Sequence, residues 1–352
     1  MNKKRIAHVL PRSCGGVNTI LQNIVSEMVD DYETTVFIVG RYEKMNQVIE
    51  KKIQFVRLNQ KHFLSFKMIV ELIRLIREND IIHVHLFPAL YFCAYLKPFF
   101  IEKKFVYTEH ASINNRRKYN FLHYIEIPIY NAYDNVVAVS DSCKKSLDMW
   151  LNHKVCIQTI NNGIDMKQCH FQSKFDFASI GIDSKYIITM VARLSADKDF
   201  HTIIEAMALL NADYHLVLVG DGNLRSQIEN EIQKMSLINR ITLLGYRSDV
   251  TAILASSTLS VLSSYAEGMS LVILESLAVG TPCIGSDVDG IRDVLPNLYR
   301  FERGNCVELA RLIEKVATNR IEPLPFSDIL NKYSVQKMVN SYRILYDGDA
   351  LQ

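Results

Sequence analysis

The sequence has no C-x-x-C pair, and its seven cysteines (Cys14, Cys93, Cys143, Cys156, Cys169, Cys283 and Cys306) are odd in number. That argues against a disulfide framework or a zinc knuckle and fits a reducing cytosol. An excess of one charge is also missing: 40 Lys and Arg stand against 38 Asp and Glu, a net charge of +2. Nothing global therefore asks for a polyanion, any basic surface must be local, and no nucleic-acid partner is expected. Long apolar runs are absent. The start, MNKKRIAHVLPR, carries only a short apolar run before Pro11, too little for a secretory signal. The greasiest segment, LFPALYFCAYLKPFFI (86–101), is short and broken by Pro88, Lys97 and Pro98, so it does not read as a spanning helix. Solenoid repeats and low-complexity tracts are lacking too. The expectation is a cytoplasmic globular protein, with peripheral contact to the inner membrane face left open.

What is present is a long alternation of two periods. With 352 residues, 49% of them hydrophobic, the chain can bury a substantial core. Strand-like runs RIAHVL (5–10), TTVFIVG (34–40), IQFVRL (53–58), DIIHVHLF (80–87), KFVYTEH (104–110) and NVVAVS (135–140) alternate with helical patterns such as 66–79. VCIQTINNGID (155–165) closes this series. A second begins at YIITMVARL (186–194) and continues through YHLVLVG (214–220), RITLLG (240–245), LSVLSS (259–264) and PCIGSD (282–287). Alternating strands and helices predict parallel sheets covered on both faces. Two series predict two Rossmann-like doubly wound α/β domains, at 1–165 and 185–325. A polar linker is expected at 166–184 and a final helical segment at 326–352.

YAEGMSLVILESLAVGTPCIGSD (265–287) carries the chemistry. From Ser270 to Val279 the helix is apolar except for Ser270, Glu275 and Ser276. A carboxylate in such surroundings is costly without hydrogen-bond partners. The partner is either a protein donor, such as an arginine, or a ligand hydroxyl. Just before the helix stands Glu267. Met269, Ser270 and Leu271 supply amides at the helix start, where the dipole favours an anion. A seat for phosphate beside two carboxylates suits a sugar nucleotide. A paired helix glutamate and an ordinary loop glutamate are the bland alternative.

Glu267-Gly268-x-Ser270-Leu271-x-x-Leu274-Glu275-x-x-Ala278-x-Gly280-x-Pro282 resembles the signature of family 4 of the retaining glycosyltransferases. VARLSADKDFHTIIEA (191–206) is similar to a second family segment, with Ala192 where glycine is usual. The resemblance covers most of the chain and is tightest from 186 to 295. It implies a GT-B fold, two Rossmann-like domains facing each other across a cleft, with the last helix crossing back to the first domain. It also implies hexosyl transfer with retention from a nucleotide sugar, a UDP-linked hexose or N-acetylhexosamine being the leading expectation. No cofactor and no essential metal are implied. The acceptor would be a glycan or a polyprenyl-diphosphate-linked glycan in cell-surface polysaccharide assembly.

Residue by residue, the resemblance assigns Glu267 to the donor sugar hydroxyls and Glu275 to the ribose. Arg193 and Lys198 would hold the diphosphate, where fixed cations stabilise a leaving group that gains charge. Gly16, in the Gly15-Gly16 loop, matches the position that meets the donor, and His110 lies near the reacting sugar. Tyr246 and Arg247, in LLGYRSDV, are expected to border the base. VGDGNLRSQIE (219–229) offers Gly220-x-Gly222, but Arg225 stands where the third glycine of a dinucleotide fingerprint belongs. His83 and His85 alternate along one strand; His85 is a candidate for the acceptor, and hydrogen-bonded core histidines are the other reading. None of these has a partner at zinc spacing in the sequence. Asp289-Gly290-Ile291-Arg292-Asp293 departs from the family's G-G-x-x-E and puts donor choice in question. Arg116 and Arg117, with Lys97, Lys103, Lys104 and Lys118, rim the apolar 86–101 segment. They read either as acceptor- and membrane-facing cations or as solvated loop charges beside a core helix. A non-catalytic sugar-nucleotide-binding subunit, a nonhydrolysing epimerase on the same fold and a Rossmann oxidoreductase are the competing functions.

Overall fold

A computed structural model describes residues 3–12, 15–40, 50–59, 65–112, 114–166 and 174–348. Cys14, Cys169 and part of the expected linker lie outside these. The chain divides into two units, residues 1–163 with 333–352, and residues 164–332.

The first unit holds a seven-stranded sheet. Its strands are β1 (Arg5–Leu10), β2 (Glu33–Ile38), β3 (Gln54–Arg57), β4 (Ile81–His85), β5 (Lys104–Glu109), β6 (Asn135–Ala138) and β7 (Ile157–Thr159). They lie in the order β3-β2-β1-β4-β5-β6-β7, every pair parallel. Every residue of β4 is buried, as near-continuous apolar runs require when helices cover both faces. The helix Gly16–Met28 packs Leu21 and Val25 onto Leu10, Val36 and Ile38. The helix Val335–Asp347 returns to this unit, burying Val335, Met338, Val339, Tyr342, Leu345 and Tyr346 at helical spacing.

In the second unit β8 (Tyr186–Val191), β9 (Tyr214–Val219), β10 (Ile241–Gly245), β11 (Leu259–Leu262), β12 (Cys283–Ser286) and β13 (Arg300–Phe301) form a parallel sheet. Its order is β10-β9-β8-β11-β12-β13. In both sheets the order reverses beside the first strand, between β1 and β4 and between β8 and β11. In open parallel sheets ligands bind beyond the carboxyl ends of the strands at such a switch point.

Two expectations differ from what is seen. The described part of the expected linker belongs to the second unit, because Phe177 and Ile182 are buried against Val217, Val219 and Ile253. At the other end, the helix Phe326–Lys332 stays with the second unit and the chain passes over at Tyr333, not at 326. The two-residue strand β13 was not anticipated; it is too short to show a period.

Candidate functional site

In the second unit the switch point is built by two loops, one after β8 and one after β11. They are stitched together by backbone. Lys198 and Ser264 form an antiparallel bridge, the Asp199 amide donates to the Ser263 carbonyl at 3.0 Å, and the Tyr265 amide donates to the Asp197 carbonyl at 3.0 Å. This stitching brings Lys198 to Glu267. Their side chains form an ion pair, 13% and 12% exposed. Asp197 lies 3.6 Å from Lys198 and 3.7 Å from Arg193, whose guanidinium is largely exposed. Burial pushes the Asp197 carboxyl up, but the Ser195 hydroxyl, Lys198 and Arg193 outweigh it and hold the group below its ordinary value. The two expected diphosphate-binding cations are thus gathered round one carboxylate that sequence reading passed over. Asp199 caps the helix Phe200–Leu209 through the Thr202 amide and accepts from the Tyr265 hydroxyl at 3.1 Å.

The helix that follows Glu267 runs Leu271–Ala278. Its amides in the first turn have no partner within the helix. Met269, Ser270 and Leu271 are buried, and the Ser270 side chain makes no capping bond. Ser276, the second polar residue inside, faces the sheet and bonds to the Ser260 hydroxyl at 2.7 Å and the Thr281 carbonyl at 2.9 Å. Glu275 is different. It sits with Val272 and Val279 on the helix's partly open stripe rather than on that of Leu271 and Ala278. Among the described residues it has no hydrogen-bond or ion-pair partner, so the paired-arginine reading does not hold. Burial pushes its carboxyl up to about 7. A carboxylate this poorly solvated and unpartnered is suited to accept bonds from a ligand.

Gly290 lies against the backbone of the Glu267 loop. It has φ 75°, and a Cβ there would stand 2.6 Å from the Glu267 carbonyl oxygen and 2.7 Å from that of Gly268. Only glycine allows that approach, so the departing segment still supports the Glu267 loop. Asp289 pairs with Arg292 at 3.2 Å, and Arg292 also pairs with Asp287 at 2.9 Å. Gly220 and Gly222 pack against the backbone of Ala192 and Leu194, where a Cβ would lie 2.0 and 2.2 Å from carbonyl oxygens. Both glycines are consumed in joining two loops, which removes the dinucleotide reading of that turn. Tyr246 is exposed beyond β10, two strands from the switch point, and Arg247 is held in a two-pronged pair with Asp249 at 2.8 and 2.6 Å.

In the first unit the switch point is rich in histidine. His8 on β1 is in register with His83 on β4, and His85 is in register with Thr108 on β5. Alternation then puts His8, His83, His85 and Thr108 on one face, with His110 just beyond. His83 is a hydrogen-bonded core residue: its Nδ1 meets the Tyr346 hydroxyl at 2.6 Å and its Nε2 meets Thr108 at 2.7 Å. His85 bridges His8 and His110, 3.1 Å from each. Burial pushes His8 down to about 3 and His110 to about 4, and holds His83 and His85 well below their ordinary value. All four are neutral at physiological pH. Ring nitrogens of His8, His83 and His85 lie within 4.8 Å of one another, a metal seat in outline. Both nitrogens of His83 are already engaged, however, so the three do not converge open lone pairs on one point. Sequence reading missed His8; its only signal is the pattern shared by RIAHVL and IIHVHLF. Gly16 begins its helix after Gly15, which stands at the helix start with a φ of 61°.

Arg116 and Arg117 have another task than the one expected of them. Arg116 pairs with the fully buried Glu126 at 3.0 Å and lies over the Phe87 ring at 4.3 Å. Glu126 also accepts from the Tyr91 hydroxyl and the Trp150 ring N–H, both at 2.6 Å. Arg117 lies 3.6 Å from the buried Glu109 and donates to the Ser112 carbonyl and the Ser146 hydroxyl. A buried carboxylate demands such a partner, and each arginine supplies it. Lys97 similarly pairs with Asp134 at 2.7 Å. Exposed nearby are the large apolar side chains of Tyr95, Phe99, Ile101, Tyr119, Phe121 and Tyr124, interspersed with Glu102, Lys118 and Asn120. No helix among the described residues is long and apolar enough to cross a membrane.

Two doubly wound parallel sheets, one with paired cations and carboxylates at its switch point, define the GT-B class of sugar-transferring folds. Two family models match side by side, Glycosyltransferase Family 4 over residues 14–168 and Glycosyl transferases group 1 over residues 172–333. The chain belongs to this glycosyltransferase family. It is 28% identical over 298 residues to N-acetyl-alpha-D-glucosaminyl L-malate synthase of Bacillus anthracis, covering 77% of this chain and 75% of that one. It is 31% identical over 207 residues to the Escherichia coli UDP-Gal:alpha-D-GlcNAc-diphosphoundecaprenol alpha-1,3-galactosyltransferase, covering 56% of this chain and 53% of that one. Among solved structures, Anabaena HepE in complex with UDP and glucose is similar with a TM-score of 0.82 at 19% identity, over 97% of this chain and 99% of that one.

Proposed function

We propose that the protein is a retaining hexosyltransferase. It takes a hexose or N-acetylhexosamine from a UDP-linked donor and passes it to a glycan or polyprenyl-diphosphate-linked glycan during cell-surface polysaccharide assembly. The observation that carries this is the Lys198–Glu267 pair at the switch point, with Glu275 on the adjoining helix unpartnered among the described residues. The pair is sheltered from water, so neither charge is cheap to expose alone. A nucleotide sugar supplies replacements for both: its diphosphate takes Lys198 and Arg193, and its sugar hydroxyls donate to Glu267. The ribose hydroxyls donate to Glu275, and the diphosphate is also seated at the amides around Met269, Ser270 and Leu271.

Transfer then needs no protein nucleophile and no essential metal. As the bond between the anomeric carbon and the diphosphate oxygen breaks, the departing oxygen takes the proton of the acceptor hydroxyl. The new glycosidic bond forms on the same face. Arg193 and Lys198 meet the charge growing on the leaving group, and Glu267 orients the sugar. His110 and Gly16 are assigned to the donor as well, Tyr246 and Arg247 to the base, and His85 to the acceptor side. The relatives' own names, one a UDP-galactose transferase acting on a diphosphoundecaprenol-linked sugar, support the donor and acceptor classes. The exposed aromatic surface of the first unit supports a working place on the cytoplasmic membrane face.

The test is a thermal-shift panel of UDP-, GDP-, ADP- and dTDP-sugars with NAD as control. A stabilisation that grows with one nucleotide sugar and is lost in Glu275→Ala supports the reading. A shift with NAD alone, or with nothing, overturns it. The anomeric configuration of the product, read by NMR, separates retention from inversion.

A further inference from the structure

His8, His85 and His110 stand in file on one face of the first unit's sheet. Nδ1 of His8 lies 3.1 Å from Nε2 of His85, and Nδ1 of His85 lies 3.1 Å from Nε2 of His110. Each contact joins two ring nitrogens, so one must carry the proton and the other the lone pair. A neutral imidazole has a single N–H. Three neutral rings therefore satisfy both contacts in two ways only. In one, every proton sits on Nδ1, each ring donates toward His110, and the Nδ1–H of His110 is left over as a donor. In the other, every proton sits on Nε2, each ring donates toward His8, and the Nδ1 of His110 is left as an acceptor. Any mixture sets two N–H groups or two lone pairs against each other in a buried place.

We infer that His8 and His85 are positioning residues that couple the tautomer of His110 to their own, so that His110 presents either a donor or an acceptor to the substrate as the file switches together. His83 is excluded from the switch, because Tyr346 and Thr108 hold both its nitrogens; its ring, 4.0 Å from that of His85, keeps the file in place. The register of β1 with β4 fixes His8 at the far end. The role in transfer rests on the placement of His110 at the reacting sugar proposed above; the coupling of the three rings does not.

The experiment uses the full chain with 15N-labelled histidine. In the wild type, through-bond nitrogen–nitrogen couplings are expected between His8 and His85 and between His85 and His110, with all three rings in the same tautomer. In His8→Leu the first coupling disappears and the His110 nitrogen resonances move, although the substitution is two rings away. The rate of transfer falls about tenfold, the size of one lost hydrogen bond in the transition state, with the KM for the nucleotide sugar unchanged. His8→Asn, whose side chain puts a donor and acceptor where Nδ1 was, restores both the resonances and the rate. Absent couplings in the wild type, mixed tautomers, unmoved His110 resonances in His8→Leu, or equal loss in both variants overturn the inference. If His8→Leu does not fold, the wild-type couplings and His8→Asn still decide it. Wild-type couplings without turnover of any nucleotide sugar would sink the transferase reading and leave the coupled file standing.

Discussion

Glu275 gives the sharpest test, because the reasoning fixes both a sign and a size. Its carboxyl is pushed up from the ordinary 4.5 to about 7 by burial, with no cation among the described residues to offset it. The folded chain therefore holds this proton more tightly than the unfolded chain does. Stability contributed by the protonated form is complete below pH 4.5 and is lost as pH rises toward 7; above that the full cost of the charge stands. At about 1.4 kcal/mol per pH unit the ceiling is about 3 kcal/mol, and water on the open stripe lowers it to about 1–3 kcal/mol. Glu275→Gln keeps the shape and removes the charge. At pH 8 the variant should melt about 3–10 °C above the wild type, the scale for a unit of this size. The gap should close as pH falls to 4.5. The same variant should gain less stability from a nucleotide sugar, because an amide is a poorer acceptor for the ribose hydroxyls. The assay is a melting curve by circular dichroism at half-unit pH steps, with and without ligand. Equal melting at pH 8, or a gap that does not depend on pH, would refute the claim that this carboxylate is unpartnered in the free protein.

The Lys198–Glu267 pair should couple by about 1–3 kcal/mol in a double-mutant cycle of Lys198→Met and Glu267→Gln by denaturant unfolding, and additive effects would dismiss the pair. Glu267→Gln alone should lose transfer yet keep nucleotide binding in a thermal-shift assay; loss of both together contradicts the division between sugar-orienting and nucleotide-holding carboxylates. Gly290→Ala forces a Cβ against the carbonyl oxygens of Glu267 and Gly268 at positive φ and should cut the transfer rate about tenfold or more, with the global fold intact by circular dichroism; a wild-type rate would mean that the Glu267 loop is not held from this side. Arg116→Met and Arg117→Met should each destabilise the first unit by about 3–5 kcal/mol, since each strands a buried carboxylate, while leaving the acceptor KM alone; a raised KM at wild-type stability would return these arginines to the acceptor.

The sequence makes legible what depends on neighbours two or four positions apart. Strand runs such as 5–10, 104–109 and 214–219 stand where alternation and apolar content place them, and the motif residues Lys198, Glu267 and Glu275 collect at one switch point or on the helix beside it. What it hides is partnership across the sheet. His8 joins His85 only because β1 lies beside β4, a pairing that strand order decides and no local pattern encodes. Asp197 is one residue from Lys198, yet its task of gathering Arg193 and Lys198 emerges only once Ser195 and the loop after β11 are folded round it. Arginine shows the difficulty most plainly. Arg193 and Arg116 are the same residue in polar stretches of the sequence, and both are candidates there for facing a ligand. The first leaves its side chain 63% exposed beside a shared carboxylate; the second is 14% exposed and locked to Glu126. Glu126, on the helix Leu122–Asn131, was itself unremarked, because a lone glutamate in an amphipathic stretch looks solvated until its burial is seen. A cation's direction is set by where the nearest uncompensated carboxylate is buried, and that carboxylate is a property of the packed core rather than of the loop that carries the cation.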